Sequence, residues 1–335
     1  MNGLIYVDDE FPGITRKRVG KGWAYYDPEG KLIKDRAEKR RLNAIALPPA
    51  YTDSWYCPAP NGHILATGLD AKGRKQYRYH PEFRAARESE KFDRCLAFGN
   101  LLPLVRKRVE EDLSGGREIS RDQAVASVVR LLDLGAIRVG NEGYAERNNS
   151  FGATTLRQRH AEVTGRKLRL RYKGKAGKMQ DVRLTDASLA RAVRKMQDLP
   201  GQRVFQYVDD GGEVRAVGSS DVNEYLEAAM GERFTAKNFR TWHATVLGFD
   251  YLRQAQENVP MKALLESVAA HLGNTPAVTR KSYIHPAVLA LIEEQEGWRD
   301  QLKLPRPTRW HTREERAVIE LLQGCPGSRD LLQIA

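Results

Sequence analysis

Ala270-His271-Leu272-Gly273-Asn274-Thr275-Pro276-Ala277-Val278-Thr279-Arg280-Lys281-Ser282-Tyr283 holds the end of one helix and the start of the next. Gly273 suits the left-handed cap of a helix opened at Pro260, and Thr275-Pro276 offers a capping hydroxyl followed by a residue whose missing N–H is not needed in a first turn. Tyr283 then falls about two turns into the second helix, with Arg280 and Lys281 beside it. The same punctuation recurs upstream. Ser120 with Gln123 forms a capping box ahead of apolar positions Val125, Val128, Val129, Leu132 and Ile137. Gly231 ends one helix and Thr235 caps another that carries Arg240, and Thr312 with Glu315 caps a last helix before Gly324.

One segment breaks the helical period. Leu168 to Tyr172, then the turn Lys173-Gly174-Lys175-Ala176-Gly177-Lys178, then Val182 and Leu184 read as a β-hairpin with lysines at its tip. Toward the N-terminus the period changes again near Glu90, where Phe92, Leu96, Leu101, Leu102 and Val105 begin a helical pattern. Residues before that point read as short strands and turns, such as Trp23 to Tyr26 before Asp27-Pro28-Glu29-Gly30, and Ile64 to Thr67 and Gln76 to Tyr79 around Asp70-Ala71-Lys72-Gly73. Lys34 to Arg41 is a charged helical stretch among them. The predicted class is α+β, with a small mainly-β domain over residues 1–90 and a larger mainly-α domain over 91–335 that contains the hairpin.

The chain has 335 residues, 41% of them hydrophobic, which is enough for two domains and a buried core. Lys and Arg number 55 against 43 Asp and Glu, and the formal charge of +12 favours a polyanionic partner such as nucleic acid. No run of about 20 apolar residues could span a bilayer. Asp8, Asp9 and Glu10 occupy the region where a secretory signal would be basic and then apolar, so a cytoplasmic, nucleoid-associated protein is predicted. Cys57, Cys95 and Cys325 are scattered without CxxC spacing, which points to neither zinc nor a disulfide framework. There is no GxxxxGK[ST] loop, no HExxH and no acidic cluster for paired magnesium ions, so the reading calls for no metal and no nucleotide cofactor.

With a polyanion as partner, a tyrosine can attack a phosphodiester if three services are supplied: cations to stabilise charge on the phosphate, a proton for the departing sugar oxygen, and alignment of the phenol. Arg138 and Arg240, predicted at helix positions among apolar neighbours, offer permanently charged forks for two phosphate oxygens. Lys175 at the hairpin tip carries a proton to give, and Asn274 has an amide N–H for a non-bridging oxygen. Singly, each residue has an ordinary structural use: a packed tyrosine, a surface ion pair, a solvated turn, a helix cap. His271 reads as a core histidine, since no second histidine stands at ligand spacing. Residues 165–183 are different. Eight basic residues, among them Lys173, Lys175 and Lys178, face only Asp181, an imbalance that fits tracking of a phosphate backbone.

Taken together, the motifs resemble the small bacterial and poxvirus-like type IB DNA topoisomerases over essentially the whole chain. The blocks that carry the likeness are Ala66-Thr67-Gly68-Leu69-Asp70, Gly73 to Pro81, Ile137 to Glu142, Asn149 to Leu156, Gly174-Lys175, Phe239-Arg240-Thr241 and Lys281-Ser282-Tyr283. The resemblance implies that Tyr283 forms a 3′-phosphotyrosyl bond and releases a 5′-hydroxyl, that Arg138 and Arg240 hold the scissile phosphate, and that Lys175 protonates the leaving oxygen. It implies relaxation of supercoiled duplex DNA by a monomer without ATP or metal. It also implies a clamp around the duplex, with Lys75, Gln76, Tyr77 and Tyr79 contacting DNA from the N-terminal domain and Gln76, Tyr77 and Tyr79 facing the major groove. One position departs from the pattern: the family usually has histidine nine residues before the tyrosine, and Asn274 stands there. Two other functions compete. A tyrosine recombinase shares the arginine, lysine and tyrosine logic, but recombinases usually begin with a helical domain. A basic DNA-binding module without chemistry would be indifferent to Tyr283→Phe.

Overall fold

The structure is a computed structural model describing residues 3–116 and 118–334. Backbone contacts divide the chain into two compact units, residues 1–90 and 91–335.

The first unit is built from hairpins. Strands β1 (Thr15–Val19) and β2 (Gly22–Tyr26) pair antiparallel, and helix α1 (Arg36–Ala44) follows. Asp35 caps α1 by accepting the N–H groups of Ala37 and Glu38, so the helix starts two residues later than its charge pattern suggests. Strands β3 (Thr52–Tyr56), β4 (Ile64–Leu69) and β5 (Lys75–Tyr79) form an antiparallel sheet in that order, with β5 at its edge. The β4–β5 turn closes on Gly73, at φ +70°, and on Asp70, whose carboxylate accepts from the Lys72 and Arg74 N–H groups. Ile14, Tyr25, Leu42, Leu47, Tyr56 and Ala66 make the core. Arg16 is buried beside it, and among the described residues no carboxylate pairs with it. Its guanidinium donates to the carbonyls of Leu47 (2.9 Å) and Pro48 (2.6 Å) and lies 3.9 Å from the Trp23 ring centre.

Helix α2 (Pro81–Leu113) begins well before the apolar pattern at Phe92. Its first turns are charged and are supported by proline at the first position and by Arg84–Glu88 and Arg87–Glu90 pairs, which leave no apolar stripe to read. In the second unit α3 (Arg121–Gly135) ends when Ala136 turns left-handed at φ 48°. Ile137 and Arg138 therefore lie in the following loop and not on the helix, and Ser120 caps α3 through its hydroxyl. Helix α4 (Glu142–Asn148) follows, then strands β6 (Ala161–Thr164), β7 (Lys167–Lys173) and β8 (Met179–Thr185) as one antiparallel sheet. The hairpin is β7–β8, in the expected place. Strand β6, too short to show a period of its own, adds a third member. Leu168, Leu170 and Tyr172 face the core, while Lys167, Arg169, Arg171 and Lys173 alternate outward. Asp181 pairs with Arg169 and Arg183, so this face is less strongly positive than the linear count suggests.

The rest is helical apart from a small β9 (Gln206–Val208) and β10 (Val214–Ala216) ribbon: α5 (Ala187–Gln197), α6 (Ser219–Met230), α7 (Ala236–Gln254), α8 (Met261–Leu272), α9 (Pro276–Ser282), α10 (Pro286–Ala290), α11 (Gln295–Gln301), α12 (Arg313–Gly324) and α13 (Ser328–Ile334). The capping box at Thr312 opens α12, but α13 continues beyond it. Helix α7 is the central strut. Phe239, Trp242, Phe249 and Leu252 on it are fully buried, and a Cβ on Gly99 would stand 2.4 Å from the Trp242 ring, so only glycine lets the indole seat there. The indole N–H donates to Glu315 (3.1 Å), and Glu315 and Asp133, both buried, together bind half-buried Arg106 (2.7 and 2.9 Å). These bonds fix the helix that carries Arg240. No described helix is long and apolar enough to cross a membrane.

Candidate active site

The site is assembled around Asn274. Gly273, at φ +65°, closes α8, and the next N–H, that of Asn274, turns back to the Ala269 carbonyl at 2.9 Å. That cap aims the Asn274 side chain inward, where only 8% of the residue is exposed. Its Oδ1 accepts from both the Arg138 and Arg240 guanidinium groups, the latter at 3.1 Å. Because a guanidinium can only donate, the oxygen must face the arginines, and the amide Nδ2 is left buried without a partner. One carboxamide oxygen thus holds two like charges side by side.

Arg240 is 3% exposed, and its guanidinium also donates to the carbonyls of Ala136 and Leu272 (3.0 Å). Burial and the neighbouring Arg138 lower its pKa, while Tyr283 acts against them. Arg138 leaves α3 on the 137–141 loop, which is locked from the other side by residues 150–155. The Arg138 carbonyl accepts from Ala153 N–H (2.8 Å) and that of Val139 from Thr154 N–H (2.7 Å). A Cβ on Gly152 would stand 2.6 Å from the Arg138 oxygen and the Gly140 nitrogen, so the two backbones meet only because residue 152 is glycine. The Asn149–Leu156 block therefore acts as scaffold for Arg138.

Tyr283 lies just past α9, its N–H bonded to the Thr279 carbonyl, with the Arg240 guanidinium carbon 5.1 Å from its ring centre. Burial pushes the phenol pKa up, but Arg240, followed by Arg138 and Lys237, outweighs it, and the net result is below the ordinary tyrosine value. Lys175 is exposed at the hairpin tip, where Ala176 and Gly177 both adopt positive φ. The tip is tethered at its base, since Gly174 N–H donates to the Lys178 carbonyl and Ser150 Oγ to the Gly174 carbonyl (2.7 Å). Arg138, Lys175, Arg240 and Tyr283 line one cavity of about 310 Å³, and Asn274 stands behind the two arginines.

Three cavity-lining residues escaped the sequence reading, Tyr144, Ala236 and Lys237. Lys237 is readable in retrospect: it stands three residues before Arg240 on α7, hence on the same face. His271 is corrected in the other direction. Predicted as a core residue, it is solvent-exposed and lines a small pocket of about 30 Å³ behind Arg138, Lys175 and Arg240. Among the described residues no group of histidine, cysteine and carboxylate side chains is arranged to hold a metal ion.

The sequence matches the family model "Eukaryotic DNA topoisomerase I, catalytic core" over residues 80–303 and that of "Bacterial DNA topoisomerase IB, N-terminal domain" over residues 22–70. The chain belongs to the type IB DNA topoisomerases. It is 30% identical to DNA topoisomerase 1B of Acanthamoeba polyphaga mimivirus over 295 residues, covering 84% of this chain and 88% of that protein. It is 23% identical to DNA topoisomerase 1 of Mycosarcoma maydis over 215 residues, 59% of this chain but only 20% of the fungal protein. A crystal structure of XerH site-specific recombinase bound to palindromic difH substrate, a post-cleavage complex, aligns at a TM-score of 0.37 and 15% identity, covering 69% of this chain and 59% of that one.

Membership makes the chain an isomerase acting on DNA, with the α+β topoisomerase IB fold. In its first unit, β5 is an edge strand with both faces accessible. Lys75, Tyr77 and Tyr79 alternate onto one face, where the two tyrosine rings stack 5.7 Å apart, and Gln76 falls on the other. The Gln76 amide donates to Asp70 (3.1 Å), and Lys75 is held by Asp9 at 2.6 Å. In the second unit Lys173 is exposed at the end of β7. Lys178 donates to the Asn274 carbonyl at 3.2 Å, which makes it a brace between the hairpin and the side chains gathered around Asn274.

Proposed function

We propose that this topoisomerase relaxes supercoiled DNA through Tyr283. Its phenolic oxygen attacks the scissile phosphorus and its proton passes to solvent; the bond to the 5′ oxygen breaks, and Lys175 supplies the proton that makes a 5′-hydroxyl. The strand remains attached as a 3′-phosphotyrosyl ester, so rotation about the intact strand and reversal of the step restore the duplex without a nucleotide. Arg138 and Arg240 hold the non-bridging oxygens, and Asn274, expected from the sequence to donate to one of them, instead holds the two guanidinium groups in place through its Oδ1, an acceptor that cannot be titrated. Residues 1–90 act as a clamp that contacts duplex DNA through Lys75, Gln76, Tyr77 and Tyr79, while Lys173 follows the phosphate backbone. The protein works as a monomer, on the nucleoid in the cytoplasm.

The observation that carries this reading is the cavity that gathers the Tyr283 phenol, the Arg138 and Arg240 guanidinium groups and the exposed Lys175 ammonium. Its test is plasmid relaxation in excess EDTA without ATP, with wild type and Tyr283→Phe side by side. Relaxation by wild type alone is expected; strict dependence on metal or ATP, or activity in the phenylalanine variant, contradicts the reading.

A further inference from the structure

We propose that His285 is a positioning residue that keeps Tyr283 in register with Arg240, an inference that rests on Tyr283 being the nucleophile. Tyr283 to His285 form the turn between α9 and α10, helices of seven and five residues. Helices this short do not hold their own geometry, so tertiary bonds must fix the turn.

Two sets of bonds do so. The first comes from α7. Thr245, fully buried five residues beyond Arg240, donates its hydroxyl to the Thr241 carbonyl (2.8 Å), accepts the His285 N–H (3.1 Å) and lies 3.4 Å from the Tyr283 carbonyl. The helix that carries the phosphate-binding guanidinium thus also grips the backbone of the tyrosine turn. The second set runs through the His285 ring, which is 3% exposed. Its Nδ1 accepts the Ala287 N–H at 3.1 Å and caps α10. With Nδ1 an acceptor, the neutral ring carries its proton on Nε2, which reaches Ser328 Oγ at 3.2 Å. Ser328 opens α13 and is itself held, its N–H donating to Asp93 at 3.1 Å, while Phe92 packs edge-on against the imidazole. His285 is therefore a strut between α13 and the tyrosine turn, and burial keeps it neutral, its pKa pushed down to about 4.

In-line attack is sensitive to such a strut, because a displacement of about 1 Å at the reacting atoms can cost about 100-fold in rate. The defect of a positioning variant lies in alignment, not in proton donation, and leaving-group chemistry separates the two. A scissile bond whose 5′ oxygen is replaced by sulfur needs no acid, since a thiol of pKa about 8.5 leaves as its anion. The experiment measures single-turnover cleavage on both substrates, together with duplex affinity and thermal stability, for the wild type and for His285→Ala, His285→Asn, Ser328→Ala, Lys175→Ala and Tyr283→Phe. Expected for His285→Ala is about 100-fold slower cleavage, and for Ser328→Ala about fivefold, with affinity unchanged and no recovery on sulfur. Asparagine at 285 restores the cap but cannot reach Ser328, so His285→Asn should match Ser328→Ala. Lys175→Ala must recover on sulfur, which certifies the substrate. Should His285→Ala fail to fold, His285→Asn and Ser328→Ala carry the test alone. Unaltered cleavage in the folded variants, recovery on sulfur, or a loss of affinity equal to the loss of rate overturns the proposal. Tyr283→Phe keeps the two readings apart: activity in that variant defeats the nucleophile assignment, whereas its inactivity beside normal His285 and Ser328 variants defeats only the positioning role.

Discussion

The two halves of the site are built in opposite ways. Arg240 is 3% exposed and donates to the Ala136, Leu272 and Asn274 oxygens, whereas Lys175 rides on an exposed turn where two consecutive residues take positive φ. The contrast fits the roles proposed for the two groups. Charge stabilisation is most effective when the dipoles and charges are fixed before the substrate arrives, and a buried guanidinium can be fixed because it cannot lose its proton. A proton donor has to reach the leaving oxygen in a groove that only DNA supplies, and an exposed tip can do that. On that proposal rigidity is concentrated where charge develops, and freedom where contact must be made.

Several substitutions would break or sharpen this contrast. Arg240→Ala should show the largest effect, with cleavage slowed roughly 1000-fold and the melting temperature lowered, because it strips the Asn274, Ala136 and Leu272 oxygens of a buried donor. Arg240→Lys should recover little of the rate, since one ammonium cannot span the same acceptors. Single-turnover assays and thermal melts on the same preparations check both. Lys175→Ala should slow cleavage by about 100-fold while leaving the melting temperature and duplex affinity nearly unchanged. A matching drop in affinity would show that the tip binds rather than donates.

Smaller effects come from Asn274 and Lys237. Asn274→Ala should slow cleavage about tenfold, because Arg138 and Arg240 then repel each other without the shared acceptor. In the wild type no imidazole at this position titrates between pH 5 and 7, and Asn274→His should introduce such a limb; an unchanged rate and pH profile would remove this position from the mechanism. Lys237→Ala should move the alkaline limb of the rate upward in pH, because this ammonium helps hold the Tyr283 phenol below its usual pKa.

His285 extends the contrast to stability. Its folded pKa, about 4, lies below the unfolded value of about 6.5, so the unfolded chain binds the extra proton first. The contribution is fully present above pH 6.5 and is lost as pH falls toward 4. Denaturant midpoints measured across that window should decline more steeply for wild type than for His285→Asn.

The parts legible in the sequence are those that local chemistry decides. Gly273 with Thr275-Pro276 fixes the junction before Tyr283, and Gly174-Lys175 fixes the hairpin tip. The opaque parts depend on contacts distant in sequence. Arg138 read as helical because nothing local announces that Ala136, a residue with a Cβ, turns left-handed; only the packing of Gly152 against its backbone explains the loop. The pairing of Asp181 with two arginines, the Asn274 oxygen shared by Arg138 and Arg240, and the Lys178 brace all join residues that the sequence keeps apart. The Asn274 position could be found as a departure from a motif, but its role as the acceptor between two arginines required the geometry.

The most direct test of the central claim is to mix the protein with supercoiled plasmid in EDTA, quench with denaturant, digest, and identify the residue that carries nucleotide. The account requires a 3′-phosphoryl adduct on Tyr283 opposite a free 5′-hydroxyl. An adduct on any other residue, a 5′ linkage, or relaxation with no covalent species at all would contradict it.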